Sequence, residues 1–324
     1  MASFFIKSIF QLFFMGALLS FPIYGLAQKI QKFSQIRIVV GFPAGATTDV
    51  VTRLLAQKLS QQINIPVIAD NKPGAESNIA AEIVSKAPAD GQTLLLNTPS
   101  ILLSRVLGMK MGYDLIKDLE PIALFGSSPY VLVVHPSLPV KTINEFNSYL
   151  KVNPNKYNYG SASSLTYFAT LLFLDANNIK ALHVNYKGGG PATIDLVGGR
   201  LQFLMTGQTA VMPMIKDNRL KPIALTSLNR SSLLPEIPTL NETVMPGFEM
   251  GTWFGIMAPI KTNKEIILRL NQEISKAAED QNMKKRLEEE GVQSNKSSPE
   301  DYQNYIQKEL KRWTDIAVKM SDKN

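Results

Sequence analysis

The sequence contains no cysteine and only two histidines in 324 residues. Without cysteine the chain can form neither disulfide bonds nor thiolate metal sites, and it cannot carry a lipid on a cysteine anchor. The two histidines, His135 and His183, lie in strand-like apolar runs and are interpreted as structural. Because no cluster of His, Asp and Glu occurs at ligand spacing, the sequence predicts no metal site, and nothing in it calls for a cofactor.

Long runs of like charge are also missing. Lysine and arginine exceed aspartate and glutamate by seven, but the basic residues are dispersed along the chain. The two small basic groups, at residues 284–286 and 308–312, are interleaved with glutamates on predicted helices, which is typical of solvated helix faces. The charge pattern therefore predicts no nucleic-acid binding.

Residues 1–27 have the organisation of a secretory signal peptide. Lys7 is their only charge, an apolar run follows it, and small residues precede the expected cleavage after Ala27. An uncleaved transmembrane anchor is the alternative, against which Ser20 and Pro22 argue. We therefore expect an exported, soluble, periplasmic protein.

From residue 36 onward, short apolar runs alternate with helical patterns. Strands are predicted at residues 36–40, 66–69 and 93–96 with amphipathic helices between them, a βαβαβ arrangement. A second alternating set lies between the apolar runs at residues 121–136 and 222–227. The pattern predicts an α/β fold in which one α/β unit is inserted into another.

This insertion predicts two lobes. Lobe I comprises residues 28–127 and 228–324, and lobe II comprises residues 128–227. Two chain segments then cross between the lobes, and such a pair of connections forms a hinge beside a cleft. Because open α/β sheets bind ligands at the carboxyl ends of their strands, a ligand is expected in that cleft.

The turn VGFPAGATTD is the first candidate part of a ligand site. Pro43 and Gly45 shape its backbone, and Thr47 or Thr48 is predicted to cap a helix that starts with Asp49. A helix N-terminus with free N–H groups favours an anion, although an ordinary strand-to-helix turn without a ligand is the alternative. Asp49 is interpreted as stabilising its own helix, because an ionised carboxylate would repel a bound acid.

Two further turns lie in the inserted unit. In HVNYKGGGPATIDLVGG, three consecutive glycines precede Pro191, which favours close approach of something to the backbone. The segment is neither a Walker loop nor a G-x-G-x-x-G fingerprint, so nucleotide binding lacks support. In NYGSASSLTYF, Ser161, Ser163 and Ser164 place hydroxyls at the end of a predicted strand, residues 157–160, and at the start of a helix, as plain N-caps or as contacts to a carboxylate.

A periplasmic hydrolase that uses Ser161 or Ser163 is the enzymatic alternative. A serine nucleophile needs a base nearby, and GSASS is not a G-x-S-x-G elbow. The sequence therefore predicts a protein without catalytic activity.

Six segments, in order along the chain, carry a family resemblance that covers essentially the whole mature protein. They read FPAGATTDVVTRLLAQKL, ADNKPGAESNIAAEIVSKAPADGQTLLL, VLVVHPSLPVKTINEF, VNYKGGGPATIDLVGGRLQFLMTG, LKPIALTSLNRSSLLPEIPTLNE and TWFGIMAP. These segments resemble the solute-binding proteins of tripartite tricarboxylate transporters, the Bug family. The resemblance implies a periplasmic type II binding-protein fold: two lobes, each a central sheet flanked by helices, joined by two crossing strands.

The resemblance also implies a function. A monomer would capture a small organic acid, a mono- or dicarboxylate, and deliver it to the membrane subunits of the transporter. Family members hold a carboxylate largely through backbone groups and bridging waters, and the corresponding residues here are Phe42, Pro43, Ala44, Gly45, Ala46, Thr47, Thr48, Asp49, Ser161, Ser163, Ser164, Lys187, Gly188, Gly189, Gly190, Pro191 and Ala192. A sensor that presents its ligand to a two-component kinase is the alternative role.

The chain departs from the family pattern near each of these turns. Residues 74–78 read GAESN in place of the common GAGGN or GAGSN, so that Glu76 adds a charge near the cleft mouth. Ala46 adds a methyl group where glycine is common, the serine loop is about two residues shorter, and Tyr167 replaces a frequent histidine. The identity of the ligand is therefore not carried over from the family.

Overall fold

The structure, a computed structural model, describes residues 34–186 and 188–321, which form ten strands and ten α-helices. The strands are β1 (Ile36–Val40), β2 (Val67–Asn71), β3 (Thr93–Asn97), β4 (Leu119–Val134), β5 (Asn158–Ser161), β6 (Leu182–Asn185), β7 (Phe203–Gly207), β8 (Lys221–Leu225), β9 (Gly251–Pro259) and β10 (Gln293–Ser294). The helices are α1 (Thr47–Ile63), α2 (Asn78–Ser85), α3 (Pro99–Val106), α4 (Ile143–Lys151), α5 (Ser164–Ala176), α6 (Gly189–Val197), α7 (Gln208–Lys216), α8 (Lys264–Glu279), α9 (Gln281–Glu289) and α10 (Pro299–Ser321). The predicted signal peptide and Lys187 lie outside the described residues.

The first sheet confirms the predicted βαβαβ arrangement. Strands β2, β1 and β3 are parallel, and Ile38 of β1 pairs with Ala69 on one side and Leu94 on the other. Helices α1 and α2 form the crossovers between these strands. β9 pairs antiparallel with β3 and with residues 119–129 of β4, and β10 pairs with the same part of β4.

The second sheet shares β4 with the first. Residues 130–134 of β4 pair antiparallel with β7 and β8, and parallel strands β5 and β6 follow beyond β7. The ladder of β4 changes partner between Pro129, which pairs with Gly251, and Tyr130, which pairs with Gly207. Gly251 is needed there, because a Cβ atom at this position would lie 2.5 Å from the carbonyl oxygen of Ser128.

The chain returns to the first sheet beside β4. The backbone N–H of Thr226 donates to the carbonyl oxygen of Tyr130, and the N–H of Met250 donates to that of Thr226. Two chain segments therefore run between the sheets side by side. The lobe boundaries at residues 127 and 228 stay a prediction.

Separate apolar clusters pack against the two sheets. Successive residues of a strand point to opposite faces, so Tyr130, Leu132 and Val134 join one cluster of the second sheet while Val131 and Val133 join the other. Large buried side chains fill the clusters, and each contributes about 1.5–3 kcal/mol by its burial. Examples are Leu95, Met257 and Tyr302 for the first sheet, and Phe146, Phe173, Phe203, Leu196 and Leu204 for the second.

Helix α3 was not among the elements predicted from the sequence. Its first six residues, from Pro99 to Ser104, are all buried, so it shows no polar face from which a helical period could be detected. Pro99 occupies the first turn, where proline is tolerated because the N–H it lacks would have no intrahelical partner. Among the described residues, none of the helices combines the length and the apolar character that crossing a bilayer requires.

Candidate ligand-binding site

A cavity of about 380 Å³ lies at the carboxyl ends of β5 and β6. This volume is in the range of small-molecule pockets. Its lining is polar and aromatic and comprises Glu76, Ser161, Ala162, Ser163, Ser164, Tyr167, His183, Asn185 and Tyr186. The structure thus brings the three predicted serines to one cavity; their role as ligand contacts stays a prediction.

Ser161 and His183 meet in the wall of this cavity. Ser161 Oγ lies 2.8 Å from His183 Nε2, and the His183 ring centre lies 5.0 Å from that of Tyr159 and 4.6 Å from that of Tyr167. Partial desolvation lowers the pKa of His183, which favours the neutral ring at neutral pH. In the described part of the chain no carboxylate is hydrogen-bonded to this histidine, so a Ser-His-Asp arrangement is not formed.

His183 was interpreted from the sequence as a structural residue, and the structure places it on the cavity instead. Strand β6 is the edge strand of the second sheet, and His183 is exposed there. The apolar neighbours of His183 in the sequence suggested burial, and Leu182 is in fact exposed too. Asn185 and Tyr186, which also line the cavity, were not predicted as site residues for the same reason. A short apolar run in a sequence does not show whether its strand lies at the edge of a sheet.

Ser163 is the N-cap of α5. Its Oγ accepts from the backbone N–H of Thr166 at 3.3 Å, and Thr166 Oγ1 accepts from the N–H of Ser163 at 3.1 Å. This reciprocal pair is a capping box. The hydroxyl therefore orients the helix start at the cavity, whichever ligand is bound.

A Ser163→Ala variant is expected to lose about 1 kcal/mol of unfolding free energy, because the N3 N–H of α5 loses its acceptor. Thr48→Ala is the matched control. It should change the unfolding free energy by less than about 0.5 kcal/mol, since Thr48 lies inside a helix and alanine has the higher helix propensity. Urea titration measures both values. Equal losses in the two variants would contradict the assignment of the cap.

The turn that contains Phe42, Pro43 and Ala44 differs from its prediction at the helix start. Helix α1 begins at Thr47, two residues before the predicted first residue, and its N-cap is Ala46, which has no side-chain capping bond. The prediction that Thr47 or Thr48 caps the helix is therefore wrong.

Asp49 explains the earlier start of α1. Its carboxylate reaches back to accept from the N–H of Gly45 at 2.9 Å, where the backbone is left-handed with φ of 82°. The same carboxylate accepts from Arg53 Nε at 3.0 Å and from Asn71 Nδ2 at 2.9 Å. Asn71 also donates to the carbonyl oxygen of Phe42. Asp49 therefore closes the turn from inside, in the manner of a capping residue.

The ionisation of Asp49 follows from these contacts. Burial alone raises the pKa of this carboxyl, but the hydrogen bonds from Arg53, Gly45 and Asn71 outweigh it, and the net pKa lies below the usual value. Two predicted anion donors are thereby occupied: the Gly45 N–H by Asp49, and the Ala46 N–H by the carbonyl oxygen of Pro43. The first N–H groups of α1 itself remain without intrahelical acceptors.

The glycine turn forms the start of α6. Gly188 is its N-cap in an extended conformation that any residue adopts, and Gly189 and Gly190 are its first two residues. A Cβ atom at Gly188 or Gly190 would meet no atom of the described residues within 4 Å, and one at Gly189 would lie 3.7 Å from Thr206 Oγ1. Neither backbone conformation nor internal packing requires these three glycines.

The rest of this turn is divided between surface and core. Pro191 is exposed, whereas the Ala192 side chain is buried in an apolar cluster of the second sheet. Lys187 lies outside the described residues. Of the predicted site residues that the structure describes, only Ser161, Ser163 and Ser164 line the cavity itself.

Among the described residues no group of three or more His, Asp or Glu side chains is arranged to hold a metal ion.

Comparison with known proteins gives one family and several solved structures. Residues 51–321 match the sequence model of a family described as "Tripartite tricarboxylate transporter family receptor". A Rhodopseudomonas palustris protein, Rpa4515, solved with adipate, is 33% identical, with a TM-score of 0.81 over 88% of this chain and 96% of that one. The periplasmic binding protein BugD is 28% identical, with a TM-score of 0.77 over 88% and 97%.

A third solved structure has the same fold. MatC from Rhodopseudomonas palustris, with bound malate, is 28% identical, with a TM-score of 0.76 over 87% of this chain and 98% of that one. These similarities extend over nearly the whole described chain. They confirm the predicted α/β fold, the two-lobed architecture of periplasmic binding proteins.

Proposed function

The chain belongs to the receptors of the tripartite tricarboxylate transporter family, and from this premise we propose that it captures a small carboxylate-bearing organic acid in the cleft between its lobes. Membership confirms the Bug-family resemblance of the six sequence segments. The family consists of periplasmic solute-binding receptors rather than enzymes, and its members bind solutes for transport. We further propose export through residues 1–27, action as a monomer and delivery to the membrane subunits of such a transporter.

The observation that carries the proposal is the glycine turn at the start of α6. Neither the backbone conformation nor the packing of the described chain requires glycine at positions 188–190. The absence of side chains at these positions leaves open space at the first N–H groups of α6. Such N–H groups attract an anion. A carboxylate that contacts this backbone would use the space that any side chain would fill.

The energetics support a carboxylate held by backbone groups. Hydrogen bonds to a charged group contribute about 1.5–3 kcal/mol each. Micromolar affinity corresponds to about 8 kcal/mol, so three such bonds supply much of it. The solved relatives with adipate and with malate contain ligands of this chemical class.

A thermal-shift screen tests the carboxylate assignment. The protein is first unfolded, dialysed and refolded, so that any co-purified ligand is removed. Mono- and dicarboxylates, including adipate and malate, are then added over a range of concentrations. At a concentration of 100 Kd, the correct acid is expected to stabilise the protein by about 2.7 kcal/mol, which raises the unfolding midpoint by several degrees.

Matched uncharged compounds provide the control for this screen. The amide of each acid keeps its size and shape but lacks the negative charge that the helix N-termini favour, and it should give no shift. A refolded protein that responds to no acid in the panel, or equally to acids and amides, would contradict the proposed function.

A further inference from the structure

One carboxylate faces the candidate cavity. Glu76 belongs to the one-turn segment Ala75–Ser77 that precedes α2, and it lines the cavity together with residues of β5, β6 and α5. Its Oε1 accepts a hydrogen bond from Ser164 Oγ at 3.3 Å. Across residues 34–186 and 188–321, no Lys, Arg or His lies within 4 Å of this carboxylate as an ion-pair partner. The charge is therefore presented to the cavity without a cation from the described chain.

The backbone that carries Glu76 is strained. Ala75, Glu76 and Ser77 have φ values of 47°, 53° and 75°, all in the left-handed region that disfavours residues with a Cβ atom. Glycine would adopt these angles without cost. Non-glycine residues held in this region are concentrated at functional sites. A charged residue that is kept in this conformation and directed into a cavity therefore points to a ligand.

The remaining cavity wall suits a cation. Tyr167 and Tyr186 contribute aromatic side chains to the lining, and Ser161, Ser164, His183 and Asn185 contribute polar groups. Aromatic faces attract positive charge, and Glu76 adds a full negative charge beside them. A second carboxylate at this end of a ligand would face Glu76 and be repelled.

We propose that Glu76 selects ligands that carry a positively charged amino group in addition to a carboxylate, so that the protein prefers amino acids to diacids. This inference rests on the proposed function, since the carboxylate end is assigned to the helix N-termini. Glu76 then holds the amino group, and the aromatic rings shield it from water. The preference is a property of this one side chain and not of the fold.

Calorimetric titration with matched pairs tests this preference. In the pairs β-alanine and succinate, γ-aminobutyrate and glutarate, and δ-aminovalerate and adipate, an ammonium replaces one carboxylate on the same number of methylenes. Aspartate and malate differ only by an amino group in place of a hydroxyl. In at least one pair, the amino compound is expected to bind tenfold or more tightly than its partner.

Two variants separate the charge of Glu76 from its backbone. Glu76→Gln keeps size and conformation but removes the charge, and it should weaken the amino compound tenfold or more while the diacid binds unchanged or more tightly. Ala75→Gly relieves the neighbouring left-handed residue without touching the charge, and it should keep the preference. If Glu76→Gln does not fold, Glu76→Gly replaces it, since glycine fits this backbone without strain.

The outcomes distinguish this inference from the proposed function. Equal or tighter binding of the acid partner in every pair, or a preference that survives in Glu76→Gln, would overturn the role of Glu76. Carboxylate capture would still stand if any acid binds. Failure of every amino acid and every diacid to bind would overturn both.

Discussion

A Gly189→Pro variant is expected to bind the carboxylate ligand at least tenfold more weakly than the wild-type protein while keeping its fold. Gly189 is the first residue of α6, a position where proline is well tolerated. The preceding Gly188 is extended, as a residue before proline must be. The substitution removes one N–H group, and the loss of one hydrogen bond to a charged group, about 1.5–3 kcal/mol, corresponds to a factor of ten or more.

Gly189→Ala is the matched control for this variant. Alanine retains the N–H group, and its Cβ atom would make an ordinary contact with Thr206 Oγ1. Calorimetric titration of the acid found by the screen measures both affinities, and far-ultraviolet circular dichroism checks the fold. If proline leaves the affinity unchanged, this N–H group is not a ligand contact. Because the alanine methyl group fills part of the space proposed for the carboxylate, alanine is expected to weaken binding, but less than proline. If alanine weakens binding as much as proline, the filled space accounts for the loss and the N–H group is not needed to explain it.

An Asp49→Ala variant is expected to lose about 3 kcal/mol of unfolding free energy. Asp49 is only 3% exposed, and its removal leaves the N–H of Gly45 without its acceptor and takes away one of the two hydrogen bonds that Asn71 Nδ2 donates. Hydrogen bonds to a charged group contribute about 1.5–3 kcal/mol each, and buried groups left without partners add to the loss. For a chain of nearly 300 residues, whose unfolding entropy is about 0.6 kcal/mol/K, the loss lowers the unfolding midpoint by about 5 °C.

Arg53→Ala is the control for the exposed side of this network. The Arg53 side chain is 53% exposed, so its ion pair with Asp49 should contribute less than about 1 kcal/mol. A loss in Arg53→Ala as large as that in Asp49→Ala would assign the stabilisation to the ion pair and contradict the role of the turn.

The pH dependence of stability provides a second check on Asp49. The folded-state pKa of this carboxyl lies below its unfolded value, so its contribution is complete above the unfolded pKa of about 3.9. The contribution is lost as the pH falls through the lower, folded pKa. The difference in unfolding free energy between wild type and Asp49→Asn should therefore be constant between pH 5 and 7 and shrink below about pH 4. A constant difference down to pH 2 would contradict this assignment.

Strands and amphipathic helices were largely predictable from the sequence because their signals are local. β1 has the predicted bounds, and Ser298, a residue type that favours N-caps, caps α10 with its Oγ accepting from the N–H of Asp301 at 3.0 Å. The start of α1 was not predictable in the same way. Thr47 and Thr48 are stronger N-cap residues than Ala46 by type, but the long-range partner Asn71 helps to hold Asp49 over the turn. At the start of α1, the contact between Asn71 of β2 and Asp49 therefore outweighs the N-cap preference of the two threonines.

The candidate cavity was predicted only in part. Ser161, Ser163 and Ser164 follow a predicted strand, so a position at its carboxyl end was expected. His183 and Glu76 reach the same cavity from β6 and from the turn before α2, which are far away in sequence. Whether a strand lies at the edge of a sheet, with its side chains facing a cavity, depends on the order of the strands. Strand order cannot be derived from a single sequence. Glu76 was noted as an added charge, but its left-handed backbone appears only in the structure.

The continuity of β4 has a consequence for how the molecule unfolds. Residues 119–129 of β4 hold β9 and β10, and residues 130–134 hold β7 and β8. If β4 leaves either sheet, the hydrogen-bonding N–H and C=O groups of the neighbouring strands lose their partners. The two parts of β4 belong to one continuous strand. Melting of either sheet is therefore expected to destabilise the other. The main apolar cluster of the second sheet acts in the same direction, because it also contains Leu103, Met250 and Trp313 from outside residues 128–227.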